Sequence, residues 1–82
     1  MRFEQLLYLI EVHRCPSLTA ACEKLHVTRQ ALSSALRNLE QELGVQLLSR
    51  NVRGVTLTEK GYEVLAFAEK VEALQQEFLT SF

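Results

Sequence analysis

The stretch SLTAACEKLHVTRQALSSALRNLEQELG, Ser17 to Gly44, decides how the chain folds. Ser17 is a good helix N-cap, and Leu18, Ala21, Cys22 and Leu25 follow at the three- and four-residue spacing of one apolar helical face. After a His26-Val27 turn, Thr28 can cap a longer helix whose apolar stripe is Leu32, Ala35, Leu36, Leu39 and Leu43. Gly44 stands where a left-handed C-terminal cap would stop that helix.

Upstream, Phe3, Leu6, Leu7 and Ile10 repeat at helical spacing, which predicts a helix from roughly Phe3 to Arg14, ended by Pro16. Downstream of Gly44 the helical period is lost. Two β-prone pieces, Val45 to Ser49 and Val55 to Thr56, flank Asn51-Val52-Arg53-Gly54, a plausible hairpin tip. An isolated hairpin is marginal in water, so this one is expected to lean on the helices through Leu47, Leu48, Val55 and Leu57. Thr58 then caps a last helix that meets no Gly or Pro after Gly61. The plan is mainly α: three helices and a two-stranded wing, a winged helix-turn-helix, over residues 1–58, followed by a long linker or dimerisation helix over 59–82.

A chain of 82 residues, 48% apolar, can bury one core and no more. It contains no apolar run near the roughly 18 residues that a membrane span needs, and Arg2 opens an interrupted pattern unlike a signal peptide, so a cytoplasmic product is expected. Cys15 and Cys22 are too few for a disulfide framework and are expected to be reduced.

The formal charge is −1, which looks poor for a binder of nucleic acid, but its distribution is uneven. Acidic and basic residues cancel through Thr28; Arg29 to Leu57 carries a net +2, and the remainder a net −3. On the third helix, Gln30, Ser33, Ser34, Arg37 and Gln41 form one polar stripe without a carboxylate, whereas Glu40 and Glu42 fall off it. In a winged helix-turn-helix this helix, about 29–43, would lie in the major groove of duplex DNA. Gln can pair with an adenine edge, Arg with guanine, and Ser with a base or a phosphate; small serines let the helix settle deeply. Thr28 and the free N–H groups at the helix start can hold a phosphate. Arg50 and Arg53 bracket the wing, 50–56, where they can reach flanking backbone or a narrow minor groove. Alone, such a stripe is most often a solvated face; the coincidence with the wing arginines is what favours DNA.

In the last helix Val64, Phe67, Val71, Leu74 and Phe78 step by three and four, a heptad seam open to intrachain packing or to dimerisation. His13, Cys15, Cys22 and His26 match no common zinc spacing, and no phosphate loop or catalytic triad spacing is present, so no metal, cofactor or enzymatic activity is expected. The rival function is a winged helix that binds another protein without binding DNA.

From Met1 through Glu77 the chain resembles the N-terminal domain of LysR-type transcriptional regulators of bacteria. The matching stretches are SLTAACEKLHVT, RQALSSALRNLEQELGVQLLSR and RGVTLTEKG. The resemblance implies that Thr28, Arg29, Gln30, Ser33, Ser34, Arg37, Arg50 and Arg53 face DNA, and that Ala21, Leu25, Ala31, Leu32, Leu36, Leu39 and Leu47 belong to the core. It implies further that the last helix pairs antiparallel with its twin to give a homodimer on a dyad-symmetric site. An effector-sensing domain that takes a small molecule would follow in the full-length regulator, making this chain a fragment. The family commonly carries Gln at Arg29, Ser or Pro at Gln30, a basic residue at Ser34 and Gln at Ala35, so the base-reading set is unusual here. Pro16 and Cys22 replace a customary Gly and Ala at sites that tolerate small residues.

Overall fold

A computed structural model describes residues 1–52 and 54–82; Arg53 lies outside the described residues. The elements run α1 (Phe3–Arg14), α2 (Leu18–Leu25), α3 (Arg29–Leu43), β1 (Leu48–Asn51), β2 (Gly54–Leu57) and α4 (Glu59–Thr80). The starts of α2, α3 and α4 and the ends of α2 and α3 each follow from a local signal. The Ser17, Thr28 and Thr58 hydroxyls accept from the backbone N–H groups of Ala20, Ala31 and Gly61, three residues on, satisfying donors that a helix start leaves free. Gly44 ends α3 in the left-handed region at φ 70°. His26 ends α2 at φ 59° despite its Cβ, held there as its own N–H and that of Val27 donate to the last carbonyls of α2.

The core is one cluster drawn from every helix. Leu6, Leu9 and Ile10 of α1, Ala21 and Cys22 of α2, Leu32, Leu36 and Leu39 of α3, and Leu65 and Ala68 of α4 close around Leu47 of the α3–β1 connector. Leu9, Ile10, Leu32, Leu36, Leu39 and Leu47 are essentially sealed from water, and burial of each such side chain stabilises the fold by about 1.5–3 kcal/mol. Two polar side chains share this interior. Gln5 accepts from the Arg2 N–H and donates from Nε2 to the Ala35 carbonyl of α3. Glu11 of α1 takes the Lys24 ammonium of α2 at 2.9 Å, and that hydrogen bond and charge hold the Lys24 pKa above its ordinary value.

Three expectations are corrected. The first strand begins and ends later than Val45–Ser49, and the second extends one residue beyond Val55–Thr56 at each end, because Val45 to Leu47 are drawn into the joint between α3 and α4. There the Leu47 N–H donates to the Glu40 carboxylate and the Leu47 carbonyl accepts from Thr58 N–H, so the antiparallel ladder starts only at Leu48↔Leu57 and closes at Asn51↔Gly54. Ala31, expected in the core, is exposed: it lies about 100° round α3 from Leu32, off the buried stripe. Leu43, the last member of that stripe, is also exposed, a full turn beyond the last buried residue, Leu39.

Thr58 ties α4 to the α3–β1 connector, since its hydroxyl caps α4 and also donates to the Gln46 carbonyl. Thr58→Ala is therefore expected to cost about 1–2 kcal/mol, at the upper end for a lost N-cap, as a lowered urea midpoint with unchanged slope.

Candidate nucleic-acid interface

The exposed side of α3 is presented by burial of its opposite side. With Leu32, Leu36 and Leu39 turned inward, Gln30, Ser34, Arg37 and Gln41 are exposed and Ser33 is half-buried on the flank nearest the wing. A trough of about 330 Å³ separates α3 from β1, with Ser33 and Arg37 on one wall and Ser49 and Arg50 on the other. The recognition stripe and the root of the wing thus share one continuous surface. Of the pair proposed to bracket the wing, Arg50 is exposed on β1, and Arg53 is the residue outside the described set.

A second cleft, about 450 Å³, opens between the start of α2, the first turn of α3 and the wing. Ser17, the cap of α2, and Thr19 of its first turn line it, with Arg29 from α3 and Arg50 and Asn51 from β1. Ser17, Thr19 and Asn51 were not among the site residues expected from the sequence. The signal for the first two was present in the N-cap at Ser17, because the opening turn of a helix offers unsatisfied N–H groups; nothing local marks Asn51. Thr28 stands at the start of α3 with its hydroxyl oxygen accepting from Ala31 at 3.0 Å, so it contributes chiefly by exposing that helix end.

Electrostatics separates this surface from the remainder. Arg2, Arg14, Lys24 and Lys60 each pair with a glutamate, Arg14 with both Glu69 and Glu72 across α1 and α4. Among the described residues, no carboxylate lies within 4.0 Å of Arg29, Arg37 or Arg50. Three guanidiniums left unneutralised on one side, two of them lining each cleft edge with Arg50 common to both, form a positive surface on a chain of net charge −1.

The heptad seam of α4 divides. Val64 and Val71 pack in part against the core, beside the buried Gly61, Leu65 and Ala68, while Phe67, Leu74 and Phe78 remain 46%, 65% and 61% exposed. The four side chains weighed as metal ligands do not gather. Cys22 is buried in the core, His13 stacks edge-on against Tyr62, and no group of three ligating residues occurs among the described residues.

A helix-turn-helix whose long helix and adjoining β-hairpin share one exposed surface defines the class of winged helix-turn-helix domains. The chain belongs to the LysR family of bacterial regulatory helix-turn-helix proteins, whose sequence profile matches residues 3–62. Among its relatives is the HTH-type transcriptional regulator TcbR of Pseudomonas sp. (strain P51), 38% identical over 71 residues, which cover 87% of this chain and 24% of TcbR. The crystal structure of CbnR, a LysR family transcriptional regulator, superposes with a TM-score of 0.91 at 34% identity, over 99% of this chain and 28% of CbnR. The BenM DBD, crystallised with benA site 1 DNA, superposes with a TM-score of 0.90 at 33% identity, over 99% of this chain and 94% of that one. The chain spans about a quarter of the length of the curated relatives it matches. No helix among the described residues is long and apolar enough to cross a membrane.

Proposed function

We propose that this chain is the sequence-specific, double-stranded DNA-binding part of a LysR-type transcription regulator, without enzymatic activity of its own. Arg29, Arg37 and Arg50, unpaired on the side that carries the carboxylate-free face of α3, are the observation on which this rests. A folded protein that leaves three guanidiniums without carboxylates, while pairing most of its other cations, presents them to an external anion, and the BenM complex supports a duplex as that anion. In this arrangement α3 enters the major groove, Gln30, Ser33 and Ser34 meet base edges, and Arg37 meets a base or a phosphate. Arg29 and Arg50, with Arg53 beyond the described residues, hold the flanking backbone. The exposed part of the α4 seam, Phe67, Leu74 and Phe78, is where a second copy would pack, giving two α3 helices to a dyad-symmetric site. Action on DNA places such a regulator in the bacterial cytoplasm, and a small-molecule effector belongs to the full-length protein.

Selection of bound duplexes from a random pool at physiological salt tests the reading directly, with a dyad-symmetric motif as the expected product. On the selected duplex, log K should fall with log salt at a slope of about −3 or steeper per protomer if three arginines displace counterions. A slope near zero would favour an apolar protein-binding winged helix instead. Arg37→Ala should weaken all duplexes by about tenfold and flatten the salt slope by about one, whereas Gln30→Ala should lose about 1–3 kcal/mol of discrimination at one position, seen in competition between single-base variants. Parent-like binding by both variants places the interface elsewhere.

A further inference from the structure

Resting on the DNA-binding reading, we infer that Glu40 is the positioning residue of the wing: its carboxylate fixes the angle between hairpin and recognition helix so that Arg50 and Gln30 meet the same duplex. A carboxylate on a helix proposed to face phosphates is otherwise unfavourable, since it opposes the field that draws the duplex in. Its surroundings give the reason for it. Glu40 is half-buried on the wing side of α3, and Oε2 accepts from the Leu47 N–H at 2.7 Å and the Leu48 N–H at 3.2 Å. The backbone carbonyl of the same residue accepts from the Gly44 N–H at 2.8 Å and the Val45 N–H at 3.2 Å.

Four of the five N–H groups between Gly44 and Leu48 therefore end on one residue of α3. Leu48 is the first residue of the ladder, so the side-chain bonds hold the strand where it starts, two residues before Arg50. Two N–H groups held by one oxygen of a side chain on a helix that the core clamps suit a joint that must not swing. Because that carboxylate is directed at the connector, it is not within ion-pair distance of Arg37 one turn earlier, although both line the same trough. The negative charge is thereby used to aim the wing without neutralising the stripe.

The geometry predicts that reach and acceptor capacity matter more than charge. Glu40→Gln keeps one oxygen able to accept both N–H groups and should bind the selected duplex within about threefold of the parent, whereas Glu40→Asp, a methylene shorter, and Glu40→Ala should each lose about tenfold. Two further readouts separate positioning from general loosening. In the 82-residue chain without DNA, amide exchange at Leu47 and Leu48 should quicken in the Asp and Ala variants and stay slow in Gln. In a double-mutant cycle, Arg50→Ala should cost much less in the Glu40→Asp background than in the parent, while Gln30→Ala should cost the same in both. Parent-like behaviour of Asp with loss in Gln would show that charge decides and would overturn the inference. So would unchanged exchange at the two amides, or an equal shrinkage of the Arg50 and Gln30 effects. If Ala does not fold, the Asp and Gln pair carries the comparison. If the parent selects no duplex, the DNA reading fails while the exchange arm still decides whether Glu40 holds the joint.

Discussion

Gly61→Val is expected to lower the melting temperature by about 10–20 °C, the shift that about 2–3 kcal/mol produces in a domain of this size. Gly61 lies in the first turn of α4 and is buried where that helix crosses the connector leading to the wing. A Cβ at this position would overlap the Leu47 carbonyl oxygen and lie 3.2 Å from the Leu57 Cβ. The first obstacle is backbone, so no rotamer change relieves it. The same Leu47 oxygen accepts from Thr58 N–H at 2.9 Å, and α4 can move away from it only by stretching that bond and lifting Leu65 and Ala68 out of the core. Overpacking of this kind costs about 1–3 kcal/mol or more, against which replacing Gly by Ala in a helix returns up to about 1 kcal/mol. Gly61→Ala should therefore destabilise less than Gly61→Val, which adds two further carbons and a β-branch. Thermal unfolding followed by circular dichroism checks the order parent, Ala, Val. An alanine variant as stable as the parent would mean that α4 does not sit this close to the connector.

The same joint explains what the sequence could and could not reveal. Helix starts at Ser17, Thr28 and Thr58 and the stop at Gly44 are legible because the bond that makes each one spans three or four residues, so the signal and its effect are neighbours. The stripe of α3 is legible for a similar reason: a helix repeats every 3.6 residues whatever it packs against. The strand bounds differ because β propensity marks Val45 to Leu47 as extended, whereas their partners are Glu40 of α3 and Thr58, the cap of α4, each through both its side chain and its backbone. Ala31 was misplaced because a small apolar residue is compatible with either side of a first turn. Glu40 falls off the polar stripe, and nothing in its spacing shows that this position brings it to the connector. Gln5 shows the same limit, since a lone polar residue on an apolar face announces neither its burial nor the Ala35 carbonyl thirty residues away that accepts from it.

Paired substitution of Leu74 and Phe78 by Glu should leave the fold intact and lower affinity for a duplex with two half-sites by about 10²–10⁴-fold, the advantage that linking two binding modules confers. Both parts follow from where these side chains lie. The buried residues of α4 are Gly61, Leu65 and Ala68, all in its first three turns, and the partly buried Val71 is the last to touch the core cluster. A helix of 22 residues is about 33 Å long, and its turns beyond Val71 contribute no apolar side chain to the core cluster, with Leu74, Phe78 and Leu79 all exposed. On those turns Leu74 and Phe78 are 65% and 61% exposed, and the Phe78 ring packs edge-on against Phe82 at 4.9 Å. Charges placed there meet water in a monomer and cost little stability. In a two-fold pair they would face an apolar partner surface and each other's negative charge, and the pair would part. Sedimentation at tens of micromolar, roughly the range in which weak pairing shows, should find the parent dimeric and the variant monomeric, with equal melting temperatures once dimer dissociation is allowed for. Against a single half-site the two proteins should bind alike, because Arg37, Gln30 and Arg50 lie on α3 and the wing, elements the substitutions do not touch. A parent that sediments as a monomer would remove the proposed dimer, and a variant that loses the single half-site as well would place Leu74 or Phe78 in the DNA surface instead of the seam.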